Sequence, residues 1–459
     1  MKILLVKPYS RFPTRMPHLG LGYLATALRR QQHDVDIADC PRENLDRRRL
    51  QQRALLFSPD VLGISAFSSD LTAVRQIAAD FRRSFPQITL VLGGAHASAL
   101  PEHCFTFLPE LDFVLRGEAE HGLPPLVRRL QEGGTDWENV PGLAFRKDER
   151  IIVTSPRLEQ DLDSLGFPAW DLLRPDIQTL APHGAFVQRL PVVPIITTRG
   201  CPFPCTFCAA RCISGRTIRH RSLENIFEEI DYLVTHYGVR EIHIEDDNFT
   251  FRREFALGFC EELLRRGHDL SWCCPNGVRL DTLDRELLTM MKRAGCYSLS
   301  LGIEAGTDHI LQQIRKGLTT EQITRQVALI AAAGIKTTGF FMIGFPGETR
   351  ADIRATLRFA RHLPLDRAQF STFLPLPGTD YFEDYLRACP LEDVPWDKFF
   401  TTEVVWPPAG ISPRDMARFQ RRAFLGFYLR PAILAGLARE IRSPRQISRL
   451  FQRAWEIFK

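Results

Sequence analysis

Three cysteines stand at spacing C-x3-C-x2-C in the stretch Cys201-Pro-Phe-Pro-Cys205-Thr-Phe-Cys208. Thiolates are soft ligands that suit iron–sulfur clusters and zinc. Three of them on one short loop can hold three irons of a [4Fe–4S] cluster, leaving the fourth iron open to a ligand that is not protein. Zinc is the competing reading, with Cys212 as a fourth thiolate. The loop follows the apolar run Val192–Thr198 and the turn pair Arg199-Gly200, so a buried strand must deliver it.

That strand opens a repeat. Residues 191–385 alternate strand and helix patterns six times, with strands near Val192–Thr198, Glu241–Glu245, Ser271–Cys274, Tyr297–Gly302, Thr338–Gly344 and Gln369–Phe373. Six such units predict a (β/α)6 partial barrel, in which chemistry lies at the C-terminal strand ends. Those ends read Glu245-Asp246-Asp247-Asn-Phe249, Asn276-Gly-Val-Arg279, Gly302-Ile-Glu304-Ala-Gly306, Met342-Ile-Gly344-Phe-Pro346-Gly347 and Leu374-Pro-Leu-Pro-Gly-Thr379. Taken singly, Asp247 suits a helix cap, Arg279 a surface pair and Glu304 a helix N-terminus. Their ordered recurrence at strand ends sets them apart.

Residues 1–135 carry a second βα pattern. Ile3–Lys7, Val35–Asp39, Val61–Ala66, Thr89–Leu92 and Phe113–Arg116 are short, apolar and β-branched, as strands buried on both faces should be. With helices between them they predict a Rossmann-like, doubly wound parallel sheet, whose ligands sit at the carboxyl strand ends. The loops there hold Gly20 and Gly22, Ser65 and Ser68, Gly93, Gly94 and His96, and Gly117 and Glu118. Glycines at such ends allow close backbone approach to a ligand. Residues 136–190, rich in turn formers, predict a linker with a hairpin at 143–154; residues 386–459 predict a helical C-terminal region. Its last stretch, Ile441–Lys459, is basic and amphipathic. Packing on the barrel is the ordinary fate of such a helix, and contact with a membrane surface the rarer one.

The totals narrow the setting. The 459 residues have room for more than one domain, with 44% hydrophobic and 25% charged residues as in ordinary globular proteins. A net charge of +5 from 59 basic and 54 acidic residues argues against a nucleic-acid partner. The N-terminal stretch is a strand pattern rather than a secretory leader, and no uncharged apolar run nears the roughly 20 residues of a bilayer span. Eleven unevenly spaced cysteines suit a cytoplasmic protein better than a disulfide framework.

The cysteine loop resembles that of the radical SAM enzymes, and the glycine-rich N-terminal loops resemble the cobalamin-binding domain that precedes the core in one large class of that family. The resemblance implies that Cys201, Cys205 and Cys208 bind the cluster. It implies that the open iron takes S-adenosylmethionine (SAM), with Phe207, Asp246, Asp247, Arg279, Glu304, Gly344 and Pro346 around it. It also implies cobalamin at the strand-end loops. The chain lacks the D-x-H-x-x-G motif that supplies a histidine to cobalt, and His18, His96 and His121 have no such context. The implied chemistry is SAM cleavage to a 5′-deoxyadenosyl radical, hydrogen abstraction from a small molecule and methylation of an unactivated carbon. The implied electron donor is a flavodoxin or ferredoxin, and the expected state is a monomer. The domain order also resembles the anaerobic magnesium-protoporphyrin ester cyclase, so cyclisation or rearrangement is the first alternative. A tRNA methylthiotransferase, with its extra N-terminal cysteines and C-terminal RNA-binding barrel, and a non-catalytic zinc protein rank lower.

Overall fold

The computed structural model describes residues 1–11, 15–183, 187–441 and 446. Strands β1 (Lys2–Lys7), β2 (Asp34–Asp39), β3 (Val61–Ser65), β4 (Thr89–Gly93) and β5 (Phe113–Leu115) run parallel, in the order β2-β1-β3-β4-β5. The side-chain period of two divides β1 between two cores. Ile3 and Leu5 pack with helices Leu19–Arg29 and Leu123–Glu132, while Leu4 and Val6 pack with helices Arg47–Phe57 and Leu71–Ser84. The strand order reverses between β1 and β3, and a doubly wound sheet opens its ligand crevice at that point.

The expected hairpin forms as β6 (Leu143–Lys147) and β7 (Arg150–Val153), but it is not a linker element. It pairs antiparallel on β5, with Phe113 opposite Phe145, so the first sheet runs on to Val153. The hairpin covers an edge of β5 that would otherwise expose unpaired backbone groups.

The second sheet contains β8 (Val192–Ile195) and, after the short strands β9 (Thr198–Arg199) and β10 (Arg219–His220), strands β11 (Glu241–Ile244), β12 (Ser271–Val278), β13 (Cys296–Glu304), β14 (Lys336–Ile343) and β15 (Arg367–Thr372). Its six long strands are parallel and sequential, with β8 and β15 as the two edges, so the barrel stays open. Ile242 and Ile244 of β11 pack outward with Phe249 and Phe259, so Glu241 and His243 face the lumen. Helix Pro413–Tyr428 closes the outer edge of β15: the Tyr428 hydroxyl donates to the Ala368 carbonyl at 2.8 Å, and Gln420 donates to that of Phe370 at 2.8 Å.

The C-terminal region is less helical than its sequence suggests. Between helices Asp380–Leu386 and Pro413–Tyr428 the chain is mostly turns and irregular backbone, interrupted by Pro390, Pro395, Pro407 and Pro408. This stretch returns to the first domain, where Val394, Trp396 and Phe399 are buried among Leu71, Val74 and Ile77. Of the basic stretch 441–459, only Ile441 and Gln446 are among the described residues.

Candidate active site at the barrel mouth

Asp246, at the end of β11, ties the base of the cysteine loop. Its carboxylate accepts the Thr197 N–H at 2.7 Å and the hydroxyls of Thr197 and Thr198 (the latter at 2.9 Å). Full burial pushes its pKa up to about 6, although these donors pull it down. Asp246 therefore fastens strand to strand and does not reach the cavity, contrary to the sequence-based assignment. Beyond it, β9 and β10 pair antiparallel and pinch the loop of residues 200–218 at its root. Gly200 sits at φ +96°, and a Cβ there would run into the Thr217 carbonyl oxygen and lie 3.1 Å from that of Ser214.

Within that loop the thiols of Cys201, Cys205 and Cys208 are close enough to influence one another's ionisation, and burial pushes Cys208 up to about 11. Their sulfurs do not form a set within 4.8 Å of one another, the spacing one shared ion would require. A cluster spreads its thiolates over three irons and so tolerates wider spacing. Cys212 turns away, its thiol 3.5 Å from the Gly378 carbonyl oxygen. The donor set fits a three-cysteine cluster and not a four-thiolate zinc site.

Around this loop, Arg279 lays its guanidinium over Phe203 at 3.6 Å and pairs with Asp281 through two 2.9 Å bonds. Phe207 meets Phe345 edge-on at 5.9 Å. Asp247 is exposed at the end of β11. Glu304 adopts φ +67°, a conformation costing about 1–3 kcal/mol that persists only when its surroundings enforce it. Lys316, which sequence reading missed, donates to its carboxylate at 2.9 Å. The turn after β14 is held by another missed residue, Glu348, whose carboxylate accepts the N–H of Gly344 at 2.5 Å and of Phe345 at 3.1 Å. The Pro346 carbonyl accepts from Gln313 at 2.6 Å. Lys316 lies a helix beyond Glu304, and Glu348 one residue beyond the strand-end segment at Gly347, where no local pattern marks them.

A cavity joins this mouth to the first sheet. Gly20, Ser65, Gly93, Gly94, Gly117 and Glu118 line it from the N-terminal domain, and Thr198, Arg199, Ser214, Glu245 and Asp247 from the barrel. Apolar Leu5, Ile64, Val91 and Leu115 form its floor. Gly94, at φ +96°, lies so close to Ala66 that a Cβ would meet its backbone at 2.7 Å. Glycine-rich rims and an apolar floor are the lining that a large, mostly flat cofactor with polar edges would need. His18 also lines the cavity. Its Nδ1 accepts the Leu21 N–H at 3.3 Å, so Nε2 carries the proton and faces the Ser65 hydroxyl at 3.3 Å. Burial and the nearby Lys7 charge drive its pKa down to about 3, so the ring is neutral with both nitrogens engaged.

Three other N-terminal assignments fail geometrically. His96 is 1% exposed, bridges the Ser68 hydroxyl (2.9 Å) and His103 (3.1 Å), and packs edge-on against Trp396. Ser68 and His96 thus belong to the core between the first domain and the returning C-terminal segment. Gly22 lies under the linker instead, where a Cβ would meet Leu173 at 2.6 Å and Pro168 at 2.8 Å. A one-dimensional reading of a strand-end loop does not tell which of its side chains face the crevice and which face the helices.

Glu118 has two roles. It lines the cavity, and it binds Arg219 through paired bonds of 2.6 and 2.8 Å, while Arg199 reaches Glu120 at 2.9 Å and Glu118 at 3.4 Å. These buried pairs lock the first domain onto the barrel.

A cysteine loop at the mouth of an open βα-barrel, capped by a doubly wound domain, defines a radical SAM core with a cobalamin domain. Two family models agree: the B12 binding domain over residues 9–127 and the radical SAM superfamily over residues 195–360. The chain is 33% identical to an uncharacterized methyltransferase, PH0819, of Pyrococcus horikoshii, over 95% of this chain and 94% of that one. It is 26% identical to the anaerobic magnesium-protoporphyrin IX monomethyl ester cyclase of Rubrivivax gelatinosus, over 93% of this chain and 79% of that one. The fold matches the radical SAM methyltransferase TsrM of Kitasatospora setae, solved with cobalamin and a [4Fe–4S] cluster, at TM-score 0.69 and 20% identity over 92% of this chain and 81% of that one. The chain belongs to the radical SAM superfamily, in the branch that carries a B12-binding domain, and its cofactors are a [4Fe–4S] cluster, SAM and cobalamin. No described helix is long and apolar enough to cross a membrane.

Proposed function

We propose that this enzyme methylates an unactivated carbon of a small biosynthetic intermediate. The observation that carries the reading is the cavity lined from both domains: it has Gly93, Gly94 and Gly117 on one side and, on the other, Thr198, Arg199 and Ser214 at the root of the cysteine loop with Asp247 at the barrel mouth. The similarity to the methyltransferase PH0819, nearly end to end, supports methyl transfer. When bound, the cluster and SAM supply a hydrogen-abstracting radical, and cobalamin supplies the methyl group.

In this reading Cys201, Cys205 and Cys208 hold the cluster, and Arg279 on Phe203 stiffens the loop between the first two. Asp247 and Glu304 offer carboxylates to the amino and ribose groups of SAM, while Phe207, Gly344 and Pro346 border its adenine. Gly20, Ser65, Gly93, Gly94, Gly117 and Glu118 form the cobalamin rim. His18 is a poor cobalt ligand because both ring nitrogens are engaged. Reduction comes from a flavodoxin- or ferredoxin-type donor, and the protein works as a cytoplasmic monomer.

Replacing Cys201, Cys205 or Cys208 by Ala is expected to abolish iron–sulfur absorbance and SAM cleavage, whereas Cys212→Ala keeps both. The reaction itself is tested by product counting. Methyl transfer consumes two SAM molecules per product, so S-adenosylhomocysteine and 5′-deoxyadenosine should appear in equal amounts, with a labelled methyl from SAM in the product. Turnover that yields 5′-deoxyadenosine alone, without a methyl gain, assigns the enzyme to cyclisation or rearrangement, the reaction type of its cyclase relative.

A further inference from the structure

We infer that His183, His243 and Glu245 form a binding site for a divalent cation of the zinc class in the lumen of the barrel. The inference does not depend on the methyl-transfer reading. One ring nitrogen each of His183 and His243 and a Glu245 carboxylate oxygen lie within 4.8 Å of one another, and no other described group of three such ligands does so.

The three atoms share a second property. His243 Nδ1, His183 Nε2 and Glu245 Oε1 are all buried without a hydrogen-bond partner. His183 Nε2 and Glu245 Oε1 approach to 2.7 Å as an ion pair. A cation would take up the lone pairs of all three, with the His183–Glu245 contact opening to admit it. Buried polar groups are otherwise almost always paired.

The surroundings are built to hold the ligands. His243 is 3% exposed, and its Nε2 lies 2.9 Å from Glu241. Glu241 is itself fully buried and held by four donors: its Oε1 takes the Tyr297 hydroxyl at 2.7 Å as well as His243, and its Oε2 takes the backbone N–H of Gln188 (2.8 Å) and Arg189 (2.7 Å). A carboxylate so fixed makes Nε2 the protonated nitrogen and leaves the Nδ1 lone pair for a metal. This carboxylate–imidazole arrangement is how proteins orient histidine ligands. Two imidazoles and a carboxylate suit Zn²⁺ and leave a fourth position for water or a substrate oxygen. Glu245 also lines the cavity between the domains, so that position is within reach of small molecules.

The test uses full-length protein with its cluster reconstituted anaerobically. The protein is dialysed against micromolar zinc chloride without SAM or substrate, then zinc and iron are counted by plasma mass spectrometry. One zinc per chain is expected, with nitrogen and oxygen but no sulfur around it in zinc-edge X-ray absorption. His243→Ala and Glu245→Gln should each lose the zinc while keeping iron and visible absorbance. Glu241→Gln, which touches no metal, should weaken zinc binding by about 10–100-fold. Should His243→Ala misfold, His183→Ala tests the same ligand set from the linker, outside the barrel strands. Wild-type protein that takes up no zinc, zinc retained in both histidine variants, or sulfur ligation at the zinc edge overturns the inference.

Discussion

Glu348 carries a cost that the fold imposes on one side chain. It is 2% exposed, and burial raises its pKa to about 7 despite the N–H groups of Gly344 and Phe345. In the unfolded chain the same carboxyl titrates near its ordinary value of 4.5. Between these two values the unfolded state has released a proton that the folded state keeps, so stability falls as pH rises through this window. Above it the penalty levels off at a few kcal/mol, about 1.4 per pH unit of separation. Glu348→Gln keeps an acceptor oxygen for both N–H groups and removes the charge. The variant is expected to exceed wild type in denaturation midpoint at pH 8, by up to about 3 kcal/mol, and to match it near pH 5. Chemical denaturation of both proteins at the two pH values measures this; an unchanged gap between them refutes it. The cost is tolerated because Glu348 shapes the turn at Gly344 and Pro346, on the barrel mouth.

At the scale of elements, the cysteine loop depends on the β9–β10 pinch as much as on its thiols. Gly200 turns the chain at φ +96° between Arg199 and Cys201, against the carbonyls of Thr217 and Ser214. Backbone cannot retreat there, because the Arg219–Arg199 and His220–Thr198 pairings fix both sides. Gly200→Ala is expected to cost at least about 2 kcal/mol locally. It should reduce cluster assembly to under half of wild type with all three cysteines present, read as iron per chain and visible absorbance. Full iron loading in Gly200→Ala would show that the loop has an alternative path.

Across the whole molecule, the chamber exists because two domains are locked together. Arg219 and Glu118 are 5% and 9% exposed, so their pair is barely screened by salt. Arg219→Ala leaves Glu118 with only Arg199, at 3.4 Å. Removing one partner of a buried pair costs about 3–5 kcal/mol. The expected result is faster proteolysis within residues 156–190 and weaker cobalamin retention. Unaltered proteolysis and cobalamin retention would mean that the returning C-terminal segment holds the domains together by itself. That segment inserts Trp396 against His96 and His103, at 4.9 and 5.1 Å between ring centroids.

The amino-acid sequence by itself determined the features that repeat or cluster along the chain. Cys201, Cys205 and Cys208 announce their chemistry by type and spacing. The two βα patterns announce two parallel sheets, because strands buried on both faces must be continuously apolar. Asp247, Arg279 and Glu304 were legible as strand-end residues for the same reason. Only the tertiary structure decided which way each side chain turns and what meets it from far away. Asp246 and Asp247 are neighbours, yet one locks two strands and the other opens to the cavity. His96 and Ser68 sit in crevice loops but face the core. The 143–153 hairpin reads as a linker until β5 offers it an edge, and Trp396 reads as part of a tail until it reaches the first domain. Lys316, Glu348 and Arg219 find their roles through partners that folding supplies. Local sequence sets backbone preference and hydrophobic period; facing, pairing and burial are set by contacts between residues distant along the chain.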